Sequence, residues 1–158
     1  MKTKYTKLQI ALEIIGLLLL VGLVVFVYIQ WDKLPQQIPV HYNAFGEIDR
    51  WGSKTAIIVP VAMCIAIYMF ITVLSFFPDT WNVPVQITAE NKEKVYQYTM
   101  NLVILLKIEL IIIFFSLTYY TANAQTLPII LLPILILILF STIIFYVMKT
   151  GRLGKRVI

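Results

Sequence analysis

The chain has 158 residues, of which 60% are hydrophobic and only 13% charged, and its mean hydropathy is +0.87. A soluble domain is about half apolar and about a quarter charged, so a core this small cannot hold the apolar excess and the remainder must face lipid. The formal charge of +5 does not point to nucleic acid, because the cations flank apolar runs, a placement that suits an anionic membrane surface.

In chain order, the first candidate span covers residues 8–29 and follows Lys2, Lys4 and Lys7. Its apolar run of about 22 residues exceeds the 7–15 of a secretory signal core. Gln30, Trp31 and Asp32 follow it rather than a small-residue cleavage site, so a retained helix is expected. The second span covers 55–77, with Ser53 placed to cap it. Cys64, the only cysteine, lies inside this apolar run. It excludes a disulfide or a cysteine-based metal site within one chain and reads as a packing residue. Thr88 is placed to cap a helix opening AENKEKVYQY, expected to lie along the membrane surface, where Glu90 and Lys94 have a pairing spacing. The third span covers 100–120 and the fourth 127–148, joined by the turn TANAQT. Thr126 is a candidate cap for the fourth, with Pro128 in its first turn. Pro133 lies deeper, where a lost backbone bond predicts a kink.

The expected fold is therefore all-α: a four-helix transmembrane bundle forming one integral membrane domain over 1–158. An ordered extracellular loop joins helices one and two. Lysine and arginine bias sets the orientation. Lys2, Lys4, Lys7, Lys149, Arg152, Lys155 and Arg156 lie on the two tails, and Lys92 and Lys94 in the loop on the same side. Only Lys33, Arg50 and Lys54 lie opposite. Both termini are expected to be cytoplasmic in a multi-pass cell-membrane protein. Tyr28, Trp31, Tyr119 and Tyr120 fall at interfacial depth.

Three ionisable residues fall within spans: Glu13, Lys107 and Glu109. An unpaired charge at the bilayer centre costs about 2.5–3.5 kcal/mol, so such residues face the bundle interior and find partners. Glu13 lies roughly 8 Å past the inner end of its helix and Lys107 roughly 10 Å past that of its own. The matched depths predict a pair across helices one and three. Glu109, about 200° around the helix from Lys107, needs a proton, a water-filled cavity or another polar partner. The two readings are a structural pair beside a neutral glutamate, or a proton or ligand pathway in a small transporter.

The first loop, IPVHYNAFGEIDRWGSK, holds the only histidine. Pro35 and Pro39 restrict its approach, PVHYN and EIDRW read as extended pieces, and Asn43 to Gly46 read as a turn. Trp31, Tyr42, Phe45 and Trp51 are expected at the interface. His41, Glu47 and Asp49 are weak candidate metal ligands, but H-x5-E-x-D is no known metalloenzyme spacing. HExxH, a Gly-rich phosphate loop and Gly-x-Ser-x-Gly are absent from the sequence. No cofactor and no catalytic residue is assigned. His41 oriented by Asp49 within a structural loop, a metal site, and a metal-dependent enzyme at the outer surface remain as readings.

Residues 34–54 follow L-P-x-x-I-P-x-H-[FY]-[ND]-x-x-G-x-x-D-x-[WFY]-x-[ST]-K, with Leu34-Pro35, Ile38-Pro39, His41-Tyr42-Asn43, Gly46, Asp49, Trp51 and Ser53-Lys54 at the typed positions. This pattern resembles the bacterial membrane domain of unknown function at the N-terminus of SdpI-like immunity proteins. The resemblance covers the first loop and its flanking spans. It implies a protein that guards its own membrane against a secreted toxic peptide, or senses one or another envelope component. It also implies signalling by holding a transcriptional repressor at the membrane. The implied partners are the lipid bilayer, an extracellular peptide toxin and a cytoplasmic repressor. The implied ligand-binding or loop-motif residues are Pro39, His41, Tyr42, Asn43, Gly46, Asp49, Trp51, Ser53 and Lys54.

Overall fold

The structure, a computed structural model, describes residues 5–154. Lys2, Lys4, Lys155 and Arg156, which enter the orientation count, lie outside the described residues. Helix α1 (Lys7–Gln30) ends in a short 3₁₀ turn (Trp31–Lys33) and leads to strands β1 (Gln37–Tyr42) and β2 (Ile48–Ser53). A second 3₁₀ turn (Lys54–Ile57) opens into α2 (Ile58–Ser75). After a polar loop come α3 (Lys92–Ala122) and α4 (Leu131–Gly151). All four helices are long and apolar enough to cross a membrane, and the chain reads as a multi-pass membrane protein.

The helix starts follow from local chemistry. Thr6 and Gln9 form a reciprocal capping box: the Thr6 hydroxyl accepts from the Gln9 backbone N–H, and the Gln9 side chain accepts from that of Thr6. Before α3, Thr88 and Asn91 exchange the same kind of bonds. Helix α3 then runs unbroken for 31 residues, about 46 Å at 1.5 Å per residue. It overshoots a ~30 Å hydrocarbon core, so the polar helix expected along the membrane surface is instead the first turns of the spanning helix. Among the described residues Glu90 and Lys94 form no ion pair; Lys92 reaches Asp79 at 3.6 Å.

The fourth span differs more. Helix α4 begins at Leu131 with Ile130 at the cap, and Thr126 makes no cap. Pro133 therefore falls in the first turn, where a backbone N–H has no intrahelical partner to lose. The Ile134 N–H bonds to the Ile130 carbonyl at 3.0 Å, and the expected kink is not required.

Helix α3 is the hub and packs against each of the other three, whereas α1 and α2 meet only slightly. Its buried side includes Met100, Ile104, Lys107, Ile111 and Thr118, at the three-, four- and seven-residue steps of one helical face. Helix α1 answers with Gln9, Gly16, Leu20, Leu23 and Val27. Gly16 lets the Ile108 and Tyr68 side chains approach. Helix α4 packs along α3, and most of its surface is apolar and outward-facing, as lipid contact requires.

Two apolar clusters finish the bundle ends. At one end Leu34 and Ile38 of the first loop sink among Leu23, Val27, Ile57 and Val61, with Cys64 free and buried beside them. Complete burial of Ile38 alone contributes about 1.5–3 kcal/mol toward fixing that loop. At the opposite end, which holds Tyr5 and Leu153, Val85 packs on Val95 and Tyr96 beneath Trp81. Asn91 donates to the Gln86 and Leu153 carbonyls, tying loop 76–91 to the end of α4.

In that loop the Tyr96 hydroxyl donates to Asp79 at 2.6 Å, with the Lys92 ammonium beside it, and together they hold the Asp79 carboxyl below its ordinary range. A depressed carboxyl stabilises the fold above its unfolded pKa, and that contribution is lost as pH falls through the folded value. Protection of loop 76–91 against amide exchange, taken relative to the intrinsic rate at each pH, should therefore fall on acidification below the usual carboxylate range. Asp79→Asn should be less protected at neutral pH, and its protection should depend less on acid. Identical profiles for the two proteins would contradict this role.

Candidate functional site

Two constellations carry polar chemistry. The first is the hairpin at the membrane face. Strands β1 and β2 pair antiparallel, with Ile38 opposite Gly52, Pro39 opposite Trp51, His41 opposite Arg50 and Tyr42 opposite Ile48. Val40 and Asp49 fall at register irregularities, bulges that re-aim side chains. A Cβ at Gly52 would lie 2.8 Å from the Val40 side chain, so the glycine makes room for it.

Each motif residue has a geometric task. Asn43 builds the turn: its Oδ1 accepts from the backbone N–H of Phe45 at 2.9 Å and of Glu47 at 3.0 Å, and its Nδ2 donates to the Glu47 carboxylate. Gly46 takes φ +80, and its carbonyl accepts from the Leu127 N–H at 2.8 Å. A side chain there would collide with the Leu127 backbone. The hairpin tip is thus bolted to the α3–α4 turn. Pro39 is buried, and Ser53 caps the 3₁₀ turn by accepting from the Thr55 N–H. The Lys54 ammonium lies 4.9 Å from the centre of the Trp31 ring. The Tyr42 hydroxyl is buried with no hydrogen bond of good geometry. Burial pushes its pKa up, an effect the neighbouring Thr121 side chain partly offsets.

His41 and Asp49 face outward as an exposed couple, Nδ1 to Oδ1 at 2.6 Å. Glu47 is turned away and held by Asn43. Among the described residues no three side chains of metal-ligating type converge. Phe45 and Trp51 are 67% and 50% exposed, which leaves two aromatic side chains open on the hairpin that carries the His41–Asp49 couple.

The second constellation lies inside the bundle. Lys107 is buried, and its ammonium donates to both Glu13 oxygens at 2.7 Å and to the Thr72 hydroxyl at 3.2 Å, 4.8 Å from the Tyr68 ring centre. All three ammonium hydrogens are used, and α1, α2 and α3 are joined at one point. The pair expected from matched depths is present. One turn nearer the end of α1, Gln9 donates to Asn101 at 2.7 Å and to the Gln97 carbonyl. Glu109 faces the other way: its Oε1 accepts from Thr142 of α4 at 2.6 Å, while its Oε2 is buried without a partner. Thr72, Gln9 and Asn101 were not singled out as site residues by sequence. The spacing of Gln9 and Glu13, four apart on one face, was the available signal.

Fold and site together define a class: a multi-pass helical membrane protein whose first loop is a rigid strand hairpin locked to the second loop on the same face. Residues 17–65 match a family model described as a domain of unknown function (DUF1648). That segment runs from within α1 through the hairpin into α2. No curated protein and no solved structure matches the chain.

Gly46→Ala should unlock the hairpin tip, because it meets both a positive φ and the Leu127 backbone; backbone strain of this kind costs about 1–3 kcal/mol. Proteolysis and amide exchange should rise at residues 43–50 and 124–128 together, with the helices unchanged. An increase confined to the hairpin would show that the two loops are not coupled.

Proposed function

We propose that this chain is a non-catalytic membrane protein that uses the hairpin as a recognition surface, of the SdpI-like immunity or sensing type. On this reading both termini are cytoplasmic and the hairpin meets a toxic peptide or envelope component outside, while the opposite face engages a repressor. The observation that supports it is the hairpin's construction. Asn43, Gly46, Pro39 and Ile38 spend their chemistry on making it rigid. His41, Asp49, Phe45 and Trp51 are left exposed at its surface. A rigid frame presenting exposed aromatics is the arrangement that binds with little ordering cost.

A transport reading draws on one observation, the unpartnered Glu109 oxygen inside the bundle. The Lys107 ammonium, in contrast, has no hydrogen left to offer a passing solute.

The test is survival under a secreted membrane-active peptide, in cells with and without the chain, at membrane levels measured by immunoblot. Protection should fall with His41→Ala, Phe45→Ala and Trp51→Ala, and persist in Glu109→Gln. Equal killing with and without the chain removes the immunity reading for that peptide. Loss in Glu109→Gln alone, with solute flux in liposomes, would favour transport.

A further inference from the structure

Beside the hairpin, α1 and α2 part. The gap is a groove of about 570 Å³ lined by Val24, Val27, Ile58 and Val61, with Trp31 and Asp32 at its mouth. This lies within the ~300–1,000 Å³ of small-molecule sites. Val24 and Ile58 are half exposed, so the groove opens sideways off the bundle, at the depth of the last turns of α1 and the first of α2. Only a molecule already in the bilayer reaches it from that side.

The mouth carries an anion, and a cation stands on the aromatic ring that forms its wall. Asp32 lines the mouth directly, and the Lys54 ammonium stands over the Trp31 ring. Among the described residues neither Asp32 nor Lys54 has an ion-pair partner. An apolar slot with an anion at its mouth and a cation on its aromatic wall complements a phospholipid whose head holds a phosphate, a primary ammonium and no further charge. We propose that this groove binds a zwitterionic phospholipid of the ethanolamine type. One acyl chain fills the slot, the phosphate meets Lys54, and the head ammonium donates to Asp32. An ammonium with hydrogens makes charge-assisted bonds that a quaternary choline head cannot. Trp31 holds the glycerol level, the depth at which indole rings sit. The site is independent of whatever the hairpin recognises, since its ligand comes from the membrane.

Trp31 is its own reporter. In the full chain carrying Trp51→Phe and Trp81→Phe, it is the only tryptophan of the three. The protein is reconstituted with acyl-brominated phosphatidylethanolamine, phosphatidylcholine or phosphatidylglycerol at equal mole fraction. Quenching by the ethanolamine lipid should exceed that by the choline lipid, with an apparent affinity ratio of about fivefold, the scale of one exposed charge pair. Asp32→Asn should abolish that preference, Lys54→Gln should weaken both lipids, and Val24→Phe should reduce all quenching by filling the slot. Quenching that follows mole fraction alone and ignores these variants is ordinary boundary lipid and overturns the proposal. Preference for the glycerol lipid overturns the assigned head. If the tryptophan variants do not fold, native mass spectrometry of the unsubstituted chain and of Asp32→Asn with the same lipid mixture decides by the same ratio.

Discussion

An ammonium group cannot sit bare in hydrocarbon, and Lys107 lies near the middle of a helix that spans it. The fold is arranged around that demand. Glu13 on α1 supplies the opposite charge, Thr72 on α2 the third acceptor, and Tyr68 a ring face. Because α1 and α2 scarcely touch, the cluster is the polar joint through which both are held to α3. In lipid, apolar side chains gain nothing by leaving the solvent for one another, so such joints and close packing at small residues such as Gly16 set which helices meet. The pair also sets axial register, because Glu13 and Lys107 meet at only one sliding position of the two helices.

That register carries through to the membrane face. With α1 and α2 fixed on α3, Leu34, Ile38 and Ile57 close over Leu23 and Val27, and the hairpin stands on a buried apolar foot. Its tip is then held from the other side by Leu127. The same slight contact between α1 and α2 leaves the lateral groove beneath the hairpin. The rigid hairpin and the lateral groove are two consequences of one helix arrangement.

Much of this was legible in the sequence where one physical rule dominates. Hydrocarbon thickness fixed the number of spans, and depth matching found Glu13 opposite Lys107. The turn chemistry of Asn43 and Gly46 marked the hairpin between two extended pieces. What could not be read depended on neighbours far along the chain. Gly46 was visible as a turn residue, but its approach to Leu127 was not, because TANAQT gives no local sign of a docking partner. Pro133 was misread because the start of α4 was placed four residues early, and a proline's effect depends wholly on its distance from the helix start. Of the site, the residues were legible but not their division of labour. Glu47 looked like a ligand beside His41 and Asp49, yet Asn43 claims it.

The central claim, that Lys107 and Glu13 join the helices as one unit, is tested most directly by a double-mutant cycle with Glu13→Leu and Lys107→Met, measured by reversible denaturation in mixed micelles. Breaking a buried pair from one side leaves an uncompensated charge and costs about 3–5 kcal/mol, whereas replacing both partners by apolar groups is near neutral. The account predicts that each single substitution destabilises strongly and that the double variant recovers most of the loss. Small, additive losses in the two singles would contradict it.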